Sequence, residues 1–391
     1  MTSYTCSLNS VAQGHQTAVE TEAAIFTDVT NAGLPLTLRG HVMQTSYELV
    51  PDFKRIAVRW ISFALLISSV ATAYGQAEPT GDPAILPAGA KLERLWNDGE
   101  FTEGVAVAKD GKVYFSDIAI EAKNPGRIMR FDPATGKTTV HVADSGQSNG
   151  LFFDSKGRLL AACGANIGLR GLCEVTADGK MKVVVDKFEG KKFNSPNDLV
   201  IHPSGRVYFS DPRYVGKESL ELDHMSVYRV DPDGKVHRAT TDIRKPNGVI
   251  LSPDAKTLYV AETDNGATGL EPAGTAPQEP RMTLNAFPIH DDGSLGPKKV
   301  LIDFGKGTGT DGMTTDTAGR IYCAIRKEER HGIVVYSPTG KELAYIPTEP
   351  LPTNCTFGKG AEGSILYITA GTGLYRIKLK SMGYHPELPA R

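Results

Sequence analysis

The stretch Glu103-Gly-Val-Ala-Val-Ala-Lys-Asp-Gly111-Lys-Val-Tyr-Phe-Ser-Asp117 decides how the chain is read, because its pattern returns. Asn197-Asp-Leu-Val-Ile-His-Pro-Ser-Gly205-Arg-Val-Tyr-Phe-Ser-Asp211 has the same layout, and looser copies begin at Asn149, Asn247, Asp311 and, in degenerate form, Asn354. The intervals are roughly 45 to 65 residues. Each copy is an apolar run, a turn of the Asp-Gly-Lys kind and a second apolar run, which is the pattern of a β-hairpin. Two more strands follow, as in Gly332-Ile-Val-Val-Tyr-Ser337 and Glu342-Leu-Ala-Tyr-Ile346. Four strands in each of six units predict an all-β chain folded as a six-bladed β-propeller. Solenoid repeats are usually shorter, and a sandwich does not reproduce one hairpin six times. The sixth unit stops after Leu374-Tyr-Arg-Ile-Lys-Leu379 with three strands. Lys91-Leu-Glu-Arg-Leu-Trp96, ahead of the first unit, is predicted to be the N-terminal strand that closes the last blade, leaving residues 380–391 as a tail.

Composition agrees with many short strands and turns. Of 391 residues, 41 are Gly and 24 are Pro, a balance that favours turns over a helical bundle. Lys plus Arg (43) nearly equals Asp plus Glu (45), so no charge excess points to nucleic acid or an anionic membrane. Ahead of the repeats, Lys54, Arg55 and Arg59 precede an apolar run over residues 60–71, and small residues alternate at Ala71, Ala73 and Ala77. That order predicts a secretory signal over 54–77 and a secreted or periplasmic protein. The run, about 12 residues long, is too short to span a bilayer comfortably. Residues 1–53 carry no periodicity and read as a non-native or disordered leader, so the propeller is expected to occupy 78–391 as one domain. Cys163 and Cys173 flank a Gly-rich turn; in an oxidising compartment they are expected either to pair or to stay as buried thiols. Oligomeric state has no signature here.

The repeats carry the functional signal in their register. Eight positions before the turn Gly, or its equivalent, stand Glu103, Asn149, Asn197, Asn247, Asp311 and Asn354. The first strand of a propeller blade lines the central channel, so one matched position becomes a ring around the axis. Carboxylate and amide oxygens converging there suit a hard divalent cation, Ca²⁺ first, with Zn²⁺, Mg²⁺ and Mn²⁺ as alternatives. Asn before Gly also shapes turns on its own account, which leaves Asn149 and Asn354 open to that reading or to a channel-lining role.

Together Phe101-Thr-Glu103-Gly, Asn194-Ser-Pro-Asn197-Asp198-Leu, Lys245-Pro-Asn247-Gly, Thr310-Asp311-Gly-Met and Pro352-Thr-Asn354-Cys-Thr-Phe-Gly358 resemble the SMP-30/gluconolactonase/LRE (regucalcin-like) family over about residues 90–380. The resemblance implies a six-bladed propeller, a channel cation, hydrolysis of a small-molecule sugar lactone, and metal ligands at Glu103, Asn197, Asn247 and Asp311. Ser195 stands where the regucalcin branch has Arg, which resembles the bacterial gluconolactonase-like branch instead.

Opening a lactone needs a polarised carbonyl and an activated water. Asp311 is the candidate carboxylate for attack, as general base or nucleophile, and Asp198 is the second candidate. The insertion over residues 262–281 is a candidate lid. Asp264 in that insertion, and Tyr214 with its flat ring, join Asn149 and Asn354 as candidate substrate contacts. Three functions stay open: a sugar-lactone hydrolase, a phosphotriester or fluorophosphate hydrolase on the same site, and a non-catalytic binding propeller stabilised by calcium.

Overall fold

A computed structural model describes residues 77–386 apart from 122, 267–268 and 277–278. The leader expected over 1–53 and the signal expected over 54–77 lie outside the described residues, Ala77 excepted.

Six antiparallel sheets make the six blades of a propeller. Blade 1 runs Thr102–Val107, Val113–Asp117, Arg127–Asp132 and Lys137–Val142. Blades 2 to 5 begin at the axis with Ser148–Phe153, Leu199–Ile201, Pro246–Leu251 and Thr310–Thr315. Blade 6 takes Pro352–Phe357, Ile365–Ala370 and Gly373–Lys378 from the end of the chain, and Glu93–Trp96 from its start. That last strand pairs antiparallel with Gly373–Lys378, as the missing fourth strand requires. Trp96 then packs on Phe115 of blade 1 with ring centroids 5.3 Å apart.

The core is distributed between blades. Each sheet is apolar on both faces, as in Ile321–Ile325, where all five residues are buried. Six apolar clusters result, one for each pair of neighbouring blades. Blade 5, for example, sets Tyr322, Ile333 and Ile346 against Phe357, Leu366 and Ile368 of blade 6.

Both ends of the described chain are fastened further than the repeats foretell. Thr80–Gly81 adds a fifth strand to blade 5, beside Glu342–Pro347. The predicted tail, as far as it is described, is docked. The Tyr322 hydroxyl donates to Ser381 Oγ at 2.7 Å, the Tyr384 N–H to the Thr315 carbonyl at 3.0 Å, and Gly383 bridges Asp316. Tyr384, His385 and Pro386 thereby reach the downstream ends of the axial strands. Cys163 and Cys173 are both buried free thiols. The ladder sets Cys173 opposite Ala161 and Cys163 opposite Gly171, so the two cysteines are diagonal and not facing.

Crowding at the axis explains the glycine that follows four of the six ring positions. A Cβ on Gly104 would fall 2.0 Å from the Asn149 carbonyl oxygen, on Gly150 2.5 Å from Asp198 Oδ1, on Gly248 2.4 Å from the Asp311 carbonyl oxygen, and on Gly312 2.2 Å from Asn354 Cγ. Each glycine thus admits the ring residue, or its neighbour, of the next blade. Gly248→Ala drives a side chain into backbone and is expected to cost about 2–4 kcal/mol. Conversely, Ala255 holds the turn position that Gly fills in other repeats, at φ 55°. Ala255→Gly is expected to gain roughly 0.5–1 kcal/mol by relieving the left-handed backbone. Urea unfolding midpoints at constant slope would check both.

Candidate functional site

Five of the six ring residues stand at an irregularity in their strands. The blade 1 register slips between Glu103 and Val105, equivalent slips bracket Asn149, Asn247 and Asp311, and in blade 6 the slip comes just ahead of Asn354, between it and Pro352. A bulge opposes two residues to one and turns a side chain out of the alternation. In blade 3 Asn197 precedes the strand proper, and its N–H donates to the Ser210 carbonyl at 2.9 Å.

Acids at the end of the second strand hold the segments that enter the ring. Asp117 Oδ1 accepts the N–H groups of Glu100 (2.7 Å) and Phe101 (3.2 Å), just ahead of Glu103. Asp211 does the same for Asn194 (2.9 Å) and Ser195 (2.7 Å) ahead of Asn197, and Glu262 for Arg244 (3.0 Å) ahead of Asn247. Around Asn197 the hold is doubled: buried Arg213 donates to the Asn194 carbonyl at 2.7 Å, and buried Arg170 to the Phe193 carbonyl at 2.8 Å.

Five of the six ring residues, Glu103, Asn149, Asn197, Asn247 and Asp311, line one cavity of about 430 Å³. Tyr214 joins them, its hydroxyl donating toward the carbonyls of Lys245 (3.3 Å) and Thr263 (3.4 Å). The other three candidates lie elsewhere. Asn354 faces the lower channel and accepts the Cys355 N–H at 2.8 Å. Asp198 lines that same lower region; its two oxygens accept the N–H groups of Leu199 (2.9 Å) and Val249 (3.0 Å), bracing blade 3 on blade 4. Asp264 is paired with Arg244 and accepts the Gly266 N–H at 3.0 Å, while the adjacent Asn265 takes the place in the cavity wall.

The residue absent from the sequence reading is Arg326. It follows the second strand of blade 5, at a position the other repeats fill with unrelated residues, so no register signal marks it. In the structure it lines the cavity, donates from Nη1 to Asp311 Oδ2 at 2.9 Å, and places its guanidinium 5.7 Å from the Phe101 ring centre. That single carboxylate bond is its side chain's only hydrogen bond among the described residues, so most of its N–H groups remain for a ligand.

Burial governs the electrostatics. It pushes the Glu103 carboxyl well above the ordinary range, and the nearby Asp311 charge pushes the same way. Asp311 is also raised by burial, against the pull of Arg326 and the Asn247 amide. Burial holds the Tyr214 phenol well above its usual value, so it stays a donor. Among the described residues no group of three or more His, Cys, Asp or Glu side chains is placed to hold a metal ion by itself. The donors here are two carboxylates and neutral amides, all oxygen, a set that fits a hard cation and would relieve the repulsion between the two acids.

Six blades around an oxygen-lined channel define a propeller with an axial site. The sequence profile of the SMP-30/Gluconolactonase/LRE-like region matches residues 101–372, and the chain belongs to that family. It is 30% identical over 324 residues to a gluconolactonase of Zymomonas mobilis, covering 77% of this chain and 84% of that one. A pentonolactonase of Haloferax volcanii is 28% identical over 269 residues, 67% of this chain and 78% of its own. The solved structure of a gluconolactonase from Xanthomonas campestris superposes with a TM-score of 0.65 at 28% identity, over 78% of this chain and 95% of that one.

Because burial favours the protonated acids, the stability that Glu103 and Asp311 lend the metal-free fold is complete below the ordinary carboxylate range. It is lost as pH climbs through their raised values. The melting temperature of metal-stripped protein is expected to fall over that interval. Glu103→Gln, which cannot ionise, should flatten the fall in a calorimetric pH series.

Proposed function

We propose that this protein hydrolyses sugar lactones, with a divalent cation, calcium first, held by Glu103, Asn197, Asn247 and Asp311. The observation that carries this reading is the convergence of two buried carboxylates, three amides and Arg326 on one cavity. The lactonase names of the three relatives support the choice of substrate. When bound, such an ion polarises a carbonyl and acidifies water.

The chain's own residues supply the rest. Arg326 fixes one oxygen of Asp311 and so orients the carboxylate, which takes a proton from the attacking water. Water oxygen bonds to the lactone carbonyl carbon, the ring C–O bond breaks, and the proton held on Asp311 passes to the departing alkoxide. The free N–H groups of Arg326 can donate to the carbonyl oxygen as its charge grows. Asn149 and Asn265 offer amides to sugar hydroxyls, and Tyr214 offers a flat face. Asp198, with both oxygens committed to backbone, serves as a brace between blades, and Asp264 as an anchor for the loop that carries Asn265. The order of basic, apolar and small residues over 54–77 supports export of the mature propeller.

Gluconolactone turnover by metal-stripped protein, titrated with Ca²⁺, Zn²⁺, Mg²⁺ and Mn²⁺, tests the reading. Activity is expected to return with the ion, to fall about 10²–10⁴-fold in Asp311→Asn, and to fall about 10²-fold in Arg326→Met. Bound metal with no turnover above the spontaneous rate would sink the lactone assignment.

A further inference from the structure

The cavity is not polar throughout. Phe101, Ile118, Pro196 and Met282 share its lining with the ring residues, and it meets solvent past Ile120 and Val215. These two side chains are 55% and 50% exposed, and Ile167, beside the lining residue Asn166, is 59% exposed. The three come from the loops of blades 1, 3 and 2, and those loops are joined beside the cavity. Asn166 Nδ2 donates to the Ile120 carbonyl at 3.0 Å, and the Ile167 N–H donates at 2.7 Å to Glu218, three residues beyond Val215.

Ile167 is displayed against two physical preferences. It is a β-branched residue held at φ 67°, a left-handed conformation that such side chains avoid, and it is turned to water. Strain of this kind persists where the surrounding structure enforces it, and it collects at ligand sites. A rim of exposed aliphatic groups gains free energy only when something apolar covers it. An unsubstituted sugar lactone, with hydroxyls on most carbons, has nothing to cover it with.

We infer that the preferred substrate is a lactone carrying an apolar substituent, an alkyl chain or aryl group that leaves the polar groups of the cavity and lies across Ile120, Ile167 and Val215. The inference takes the lactone head group from the hydrolase reading and adds the class of its substituent.

Two measurements on the full chain with calcium separate the parts. One is kcat/KM for γ-lactones with side chains from methyl to octyl, beside gluconolactone. The other is calorimetric binding of the matching γ-lactams, whose amide resists hydrolysis. Both are expected to rise about three- to fourfold per added methylene over the first several carbons. The double variant Ile120→Ser/Val215→Ser and the single variant Ile167→Asn are each expected to lose at least half of that slope. Asn tolerates the left-handed backbone, so Ile167→Asn should melt no lower than wild type, which separates lost binding from lost folding. Lactam affinity that climbs with chain length while no lactone is turned over would leave the rim assignment standing and remove the hydrolase. Flat lactam affinity, or an undiminished slope in the variants, overturns the inference. So does a wild-type dimer that Ile167→Asn converts to monomer, since a second copy would then be the cover.

Discussion

Six strands cannot converge on one axis unless something gives way where they meet, and here the side chain gives way. After Glu103, Asn149, Asn247 and Asp311 the chain places glycine, so the next blade's ring residue, or the one after it, can press against bare backbone. The bulge at the same point turns the preceding side chain out of the strand alternation. Close packing and site formation are therefore one event: the contact that lets the ring shut also decides which oxygens meet. Two blades depart from the scheme, blade 6 with Cys355 after Asn354 and blade 3 with Asp198 after Asn197. Asp198 replaces the glycine, and its carboxylate ties down the Val249 N–H of blade 4, a hydrogen-bonded join in place of a steric one.

The second theme is the cost of gathering negative charge out of water. Glu103 and Asp311 lie in the same buried region, and each is disfavoured there as an anion. Arg326 offsets part of this, and the oxygen-rich surroundings leave room for a cation to offset the rest. Such a site must be held open by contacts outside the ring itself. The holding is done by backbone N–H groups bound to Asp117, Asp211 and Glu262, and by the buried guanidinium of Arg213 on the Asn194 carbonyl. The geometry is in place before substrate arrives, which is the condition for electrostatic catalysis.

Much of this was legible because the chain repeats itself. A period of four strands announced the propeller, and the three-strand shortfall at Leu379 announced the closing strand at Glu93–Trp96. The ring residues were visible as one register position. Register has no sense of up and down along the axis, however, so Asn354, at the matched position, was not distinguishable from residues that face the cavity, although it faces the lower channel. In the insertion, Asp264 and Asn265 differ by one place, and only the packing of Arg244 decides which of them reaches the wall. Arg326 was invisible for the opposite reason: it occurs once, on a segment where the repeats do not agree, and nothing in composition sets it apart from other arginines. The diagonal placement of Cys163 and Cys173 likewise depends on the length of the turn between their strands, which spacing alone does not fix.

Blade 6 joins the two ends of the chain in one sheet, with Arg376 and Glu93 paired across it at 2.8 Å. In the language of polymers the molecule is a macrocycle sealed without a covalent bond. A nick in any peripheral connection, such as the one between Asp264 and Arg281, would leave a circle of blades still sealed, because every blade keeps two neighbours. Loss of the four residues from Glu93 to Trp96 would instead strip blade 6 of its outer strand, leaving Gly373–Lys378 as a bare edge, and cut the one link that fastens the start of the chain into its last blade. Resistance to proteolysis is accordingly set near the start of the domain, by the short strand that closes blade 6, and not by its longest loop.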